Sequence, residues 1–126
     1  MGHSYRDLIA WQKAKRLAIA TYKATESFPR TEIYGLTSQL RRAAVSVVSN
    51  IAEGQGRLTP GEFQQFLGHA RGSLLEYETQ LEIAFELGFT GGSTHLELQQ
   101  LATDVLALVT RLLESVRAQA TAGQQS

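Results

Sequence analysis

Apolar residues recur at three- and four-residue intervals along most of the chain, and no stretch alternates with period two; the pattern predicts helices and no sheet. From 7 to 25, Ala10, Trp11, Ala14, Leu17, Ala18, Thr21 and Tyr22 share one arc, with Gln12, Lys13, Arg16 and Lys23 opposite. Ser27-Phe28-Pro29-Arg30 breaks that helix, because proline cannot donate and restrains the residue before it. A second helix spans 32–54 on the stripe Leu36, Leu40, Ala43, Val47 and Ile51, and Gly54 and Gly56 suit a C-terminal cap. A third spans 60–87: Thr59 and Glu62 make a capping box, Pro60 suits the first position, and Gly88 stops it. Its stripe is Phe63, Phe66, Leu67, Ala70, Leu74, Tyr77, Leu81, Ala84 and Phe85. The fourth spans 94–117, opened by a second capping box of Thr94 and Glu97, on a stripe from Leu98 to Val116. The tail 118–126 is polar and unpatterned and is expected to fray. Short connections make this an all-α, antiparallel up-down-up-down four-helix bundle, one domain over 1–126.

Two helices carry a second apolar face. Val45, Val48 and Ala52 lie opposite the second helix's stripe, and Gly68, Gly72, Leu75 and Ile83 roughly opposite the third's. A glycine inside a helix costs up to about 1 kcal/mol relative to alanine, and Gly68 and Gly72 leave a groove one turn long. These seven residues are the candidate homo-oligomer interface.

Composition changes the picture through charge. Twelve Lys and Arg balance twelve Asp and Glu, so a strongly basic nucleic-acid coat is disfavoured. The charges are segregated, however: residues 1–60 carry a net +5 and residues 61–126 a net −5. Lys13, Arg16, Lys23, Arg41, Arg42 and Arg57 are candidate contacts to nucleic acid or a partner. Glu78, Glu82 and Glu86 repeat at i,i+4 without an interleaved cation, a repulsive pattern on an isolated helix. Gln39, Ser46 and Asn50, with Arg71 and Ser73 across the bundle, are a candidate buried polar network that fixes register.

Catalytic chemistry is not visible. No cysteine is present, and His3, His69 and His95 are scattered, without the pairing of helical metal sites. Gly54-Gln55-Gly56-Arg57 lacks the Lys-Ser/Thr ending of a phosphate loop. No enzyme, cofactor, metal or small-molecule substrate is expected. With no apolar run near the roughly 20 residues a membrane helix needs, and no secretory signal, the expectation is a cytoplasmic protein.

Several motifs occur in order: Asp7-Leu8, Trp11-Gln12-Lys13-Ala14, Phe28-Pro29, Tyr34 through Ala44, Asn50 through Arg57, Glu62-Phe63, Phe66-Leu67, and Ala70 through Glu76. In these the chain resembles the four-helix-bundle proteins encoded in 23S ribosomal RNA intervening sequences. The resemblance implies a bacterial cytoplasmic bundle, often a ring-shaped homopentamer, with a suggested RNA association. It also implies a relation to the accessory variability proteins of diversity-generating retroelements, basic proteins that bind nucleic acid and a reverse transcriptase; this chain is neutral instead. No catalytic residue carries over. The matching Gln39, Arg42, Ser46, Asn50, Glu53, Gly54, Gly72, Ser73 and Glu76 read as structural or interface positions. Two functions follow as expectations: a ring that binds RNA or an RNA-handling partner, and a scaffold that binds another protein without touching nucleic acid.

Overall fold

The computed structural model describes residues 4–125. Four helices run α1 (Ile9–Thr25), α2 (Leu36–Gln55), α3 (Pro60–Glu86) and α4 (Gly92–Gln125), and no strand occurs among the described residues. Consecutive helices pack on one another, and α4 closes the square against α1. The α1–α2 wall therefore stands opposite the α3–α4 wall. Leu17, Leu40, Val47, Ile51, Leu67, Leu74, Leu81, Val105 and Val109 fill the core almost without exposure.

Local chemistry sets the ends. The Thr59 hydroxyl accepts from the Glu62 amide at 3.2 Å, with Pro60 in the first turn of α3. At the far end Gly88 adopts φ +82, and Phe89 N–H bonds to Ala84 O while Gly88 N–H bonds to Phe85 O. This is the left-handed reversal that glycine allows at least cost. Phe89 then packs on Phe28 at 5.7 Å, tying the two loops at this end together. Gly54 serves a different purpose from the cap the sequence suggests. It is buried and right-handed, and a Cβ there would stand 2.8 Å from Phe63 Cδ1 and 3.0 Å from Phe66 Cβ. Its missing side chain lets the end of α2 approach the start of α3.

The buried threonines of α1, Thr21 and Thr25, are tied to the backbone of their own helix. Thr21 Oγ1 donates to Leu17 O at 2.7 Å, so the Tyr77 hydroxyl, 2.6 Å away, is the donor in the bond that crosses the bundle diagonal. Burial pushes the Tyr77 phenol up to about 12.

Several expectations need correction. α4 is longer than the 94–117 of the sequence pattern and continues to Gln125, because Ala118, Gln119, Ala120 and Ala122 favour helix even where the core stripe has ended. Thr94 is not a cap, since α4 begins at Gly92. α2 begins at Leu36, after a 3-10 turn at Arg30–Glu32, and the Glu32 carboxylate accepts from the Leu36 amide at 3.0 Å. α1 begins at Ile9, after a 3-10 turn at Tyr5–Asp7. Tyr22 and Phe85 are 45% and 41% exposed and lie outside the core, whereas Thr25, which no stripe included, is buried. His3 and Ser126 lie outside the described residues.

Candidate interaction surface

The up-down topology turns the charge segregation of the sequence into a segregation in space. α1 holds Lys13, Lys15, Arg16 and Lys23 with no acid, a net +4. Its diagonal opposite α3 holds five glutamates against Arg71, a net −4. α2 adds +1 and α4 adds −1. One wall of the bundle is basic and the opposite wall acidic.

The basic wall is also aromatic. Lys15 Nζ lies 5.3 Å from the Trp11 ring and the Arg41 guanidinium 4.6 Å from the Tyr22 ring. Arg41 is further engaged by Thr25 Oγ1, to which its Nε donates at 2.8 Å. Arg42 is exposed beside it and free of ion pairs, and lines a groove of about 380 Å³ with Tyr22, Ile33 and Val45.

The six candidate cations do not share one face. Lys13 pairs with Asp104 at 3.4 Å, the one ion pair among the described residues. Arg16 and Lys23 line the α1–α4 groove with Ile19, Ala20 and Leu101. Arg41 and Arg42 belong to the α1–α2 groove. Arg57 sits at the other end, its guanidinium 4.4 Å from the Phe66 ring.

The acidic wall holds a groove of about 540 Å³ between α3 and α4, lined by Leu75, Glu78, Glu82, Phe85, Glu86 and His95 among others. Phe85 and His95 stack at 4.2 Å across the helical hairpin. Glu78 Oε1 and His95 Nδ1 are shielded from solvent without a hydrogen-bond partner. Among the described residues, no cation pairs with the glutamate stripe. Phe85 and His95 went unrecognised as groove residues because their meeting depends on the α3–α4 register; the only signal was their symmetric placement about the Gly88–Gly92 turn.

The candidate oligomer surface divides. Leu75, Ile83 and Val45 are 48%, 45% and 41% exposed. Gly68 and Gly72 are exposed, and a Cβ on either meets nothing within 4 Å. Val48 is half-buried against the core and Ala52 is half-buried, so neither is an open contact. The candidate polar network is smaller than expected. Ser46 Oγ and Ser73 Oγ meet at 2.9 Å across α2 and α3, and Asn50 Nδ2 donates to Ser46 O and Oγ. Gln39 and Arg71 point to solvent and stay outside it, Arg71 because it faces away from α2 on the α3 wheel. None of the described helices is long and apolar enough to cross a membrane.

Comparison with known proteins adds the family. A crystal structure at 1.70 Å of a protein of unknown function from the S23 ribosomal protein family of Bacteroides thetaiotaomicron superposes with a TM-score of 0.75. The match covers 83% of this chain and 98% of that one at 18% identity, a likeness of fold. No protein of curated function matches. The profile of the 23S rRNA-intervening sequence protein family matches residues 6–111, most of the bundle, and the chain belongs to that family.

Proposed function

We propose that this protein is a non-enzymatic, self-assembling helical bundle whose copies join head to tail into a ring. The observation that carries the reading is the division of charge between opposite walls, with the α3 glutamates of the acidic wall in no ion pair among the described residues. A contact between two different faces is heterologous, and such contacts close into rings when the rotation per copy divides a full turn. The walls also expose apolar groups, Tyr22 and Val45 on one and Leu75 and Phe85 on the other, as interaction surfaces do. A pentamer is the leading count by family resemblance. The test is the solution mass by light scattering at micromolar concentration. The reading expects a multiple of 13.8 kDa that falls as salt is raised, because facing charges are screened. A monomer at low salt overturns it.

RNA is the partner class this assembly supports. The family description names 23S rRNA, and Arg16 and Lys23 line the α1–α4 groove at the edge of the basic wall, in no ion pair among the described residues. A ring repeats that modest cation pair once per copy, which raises avidity without new contacts. Binding of the oligomer to structured RNA at two salt concentrations tests this; binding at low salt that Arg16→Glu with Lys23→Glu abolishes supports it. No binding at low salt leaves the scaffold for a protein partner.

A further inference from the structure

The α3–α4 groove is unfinished within one chain. Glu78 Oε1 is out of contact with water and has no donor, and His95 Nδ1 in the same groove is in the same state. A carboxylate oxygen in that condition is costly, and Glu82 and Glu86 add like charge one and two turns along. The floor is apolar through Leu75, Leu81 and Phe85. What would complete this groove is a cation with several donors, carried on an apolar surface.

The opposite wall supplies that surface. Of its two adjacent arginines, Arg41 is held by Thr25 and the Tyr22 ring, while Arg42 is exposed and free of ion pairs. Tyr22, Ile33 and Val45 surround it. We propose that Arg42 of one copy enters the α3–α4 groove of the next and donates to the Glu78 and Glu82 carboxylates. Val45 and Tyr22 then cover Leu75 and Phe85. The inference rests on the head-to-tail reading and names the residues that complete each joint. Arginine suits the position better than lysine, because its planar fork serves two carboxylate oxygens at once.

The experiment measures assembly of the full chain by analytical ultracentrifugation for the wild type, Arg42→Glu, Glu82→Arg and the double variant. Both positions are exposed, so each single variant keeps the wild-type helix content. Each single charge reversal is expected to raise the dissociation constant about tenfold or more. The double variant, which restores opposite charges across the joint, is expected to return most of that loss. Arg42→Lys keeps the charge without the fork and is expected to fall between the wild type and Arg42→Glu. If either reversal assembles as the wild type does, or the double variant is no tighter than the singles, the Arg42 assignment fails while head-to-tail assembly stands. A wild-type chain that stays monomeric overturns both.

Discussion

Removing the Thr21 hydroxyl costs more stability than removing the Tyr77 hydroxyl it faces, although both changes delete the same 2.6 Å bond. Thr21 and Tyr77 are each 0% exposed, so neither group can turn to water. In Thr21→Val the phenol stays in the core without a partner, and an orphaned buried polar group costs about 1–3 kcal/mol. In Tyr77→Phe the hydroxyl leaves altogether, and Thr21 Oγ1 keeps its donation to Leu17 O, so the loss is that of one net hydrogen bond, about 1 kcal/mol. Valine is close to threonine in shape and helix propensity, which leaves the hydrogen bond as the main difference. The double variant removes both polar partners and is expected near the Tyr77→Phe value, about 1 kcal/mol below wild type. At roughly 3–5 °C per kcal/mol for a chain of this size, a mid-range cost of about 2 kcal/mol melts Thr21→Val about 6–10 °C low, and Tyr77→Phe melts about 3–5 °C low. The assay is thermal and urea unfolding at one fixed protein concentration, since assembly adds concentration-dependent stability. Thr21→Val costing no more than Tyr77→Phe, or a double variant equal to the sum of the singles, refutes the reasoning.

Four further outcomes follow from the same structure. Only the neutral Tyr77 phenol fits the core, with its pKa raised from 10.0 to about 12, so its contribution is complete below pH 10 and is lost between pH 10 and 12. That loss is about 3 kcal/mol, and Tyr77→Phe should flatten it in urea titrations across that range. Gly88→Ala forces a side chain into the left-handed region at φ +82 and should lower stability by about 1 kcal/mol, read from the urea midpoint. Gly72→Ala should stabilise the isolated bundle by up to about 1 kcal/mol, since its Cβ meets nothing in the chain. Gly72→Phe should lower the solution mass without unfolding the bundle.

The four stripes were legible because helical periodicity is local: Leu40, Val47, Leu74, Leu81 and Val105 declare themselves by spacing alone. Errors gather at the edges of the arcs. Thr25 is buried, where its hydroxyl donates to Thr21 O, and Tyr22 turns outward under Arg41. Wheel angle cannot separate two such neighbours when a threonine satisfies itself on its own helix. The α2 start was misplaced because Glu32 reaches forward to cap Leu36 from outside the helix. The role of Gly54 depends on the distance between α2 and α3, which no local pattern contains. The charged walls were half legible. Segregation between chain halves shows in the sequence, and an up-down topology must place those halves on opposite walls. Which cations remain free depends on partners brought in from elsewhere: Asp104 for Lys13, Thr25 and Tyr22 for Arg41.

Head-to-tail joining of a basic and an acidic wall is tested most directly by the solution mass at low salt of two versions of the chain. One is the wild type; the other carries Lys15→Glu with Arg42→Glu, which reverses two exposed cations of the α1–α2 wall. The account predicts an oligomer for the wild type and a folded 13.8 kDa monomer for the variant. A wild-type monomer, or a variant that assembles as the wild type does, contradicts it.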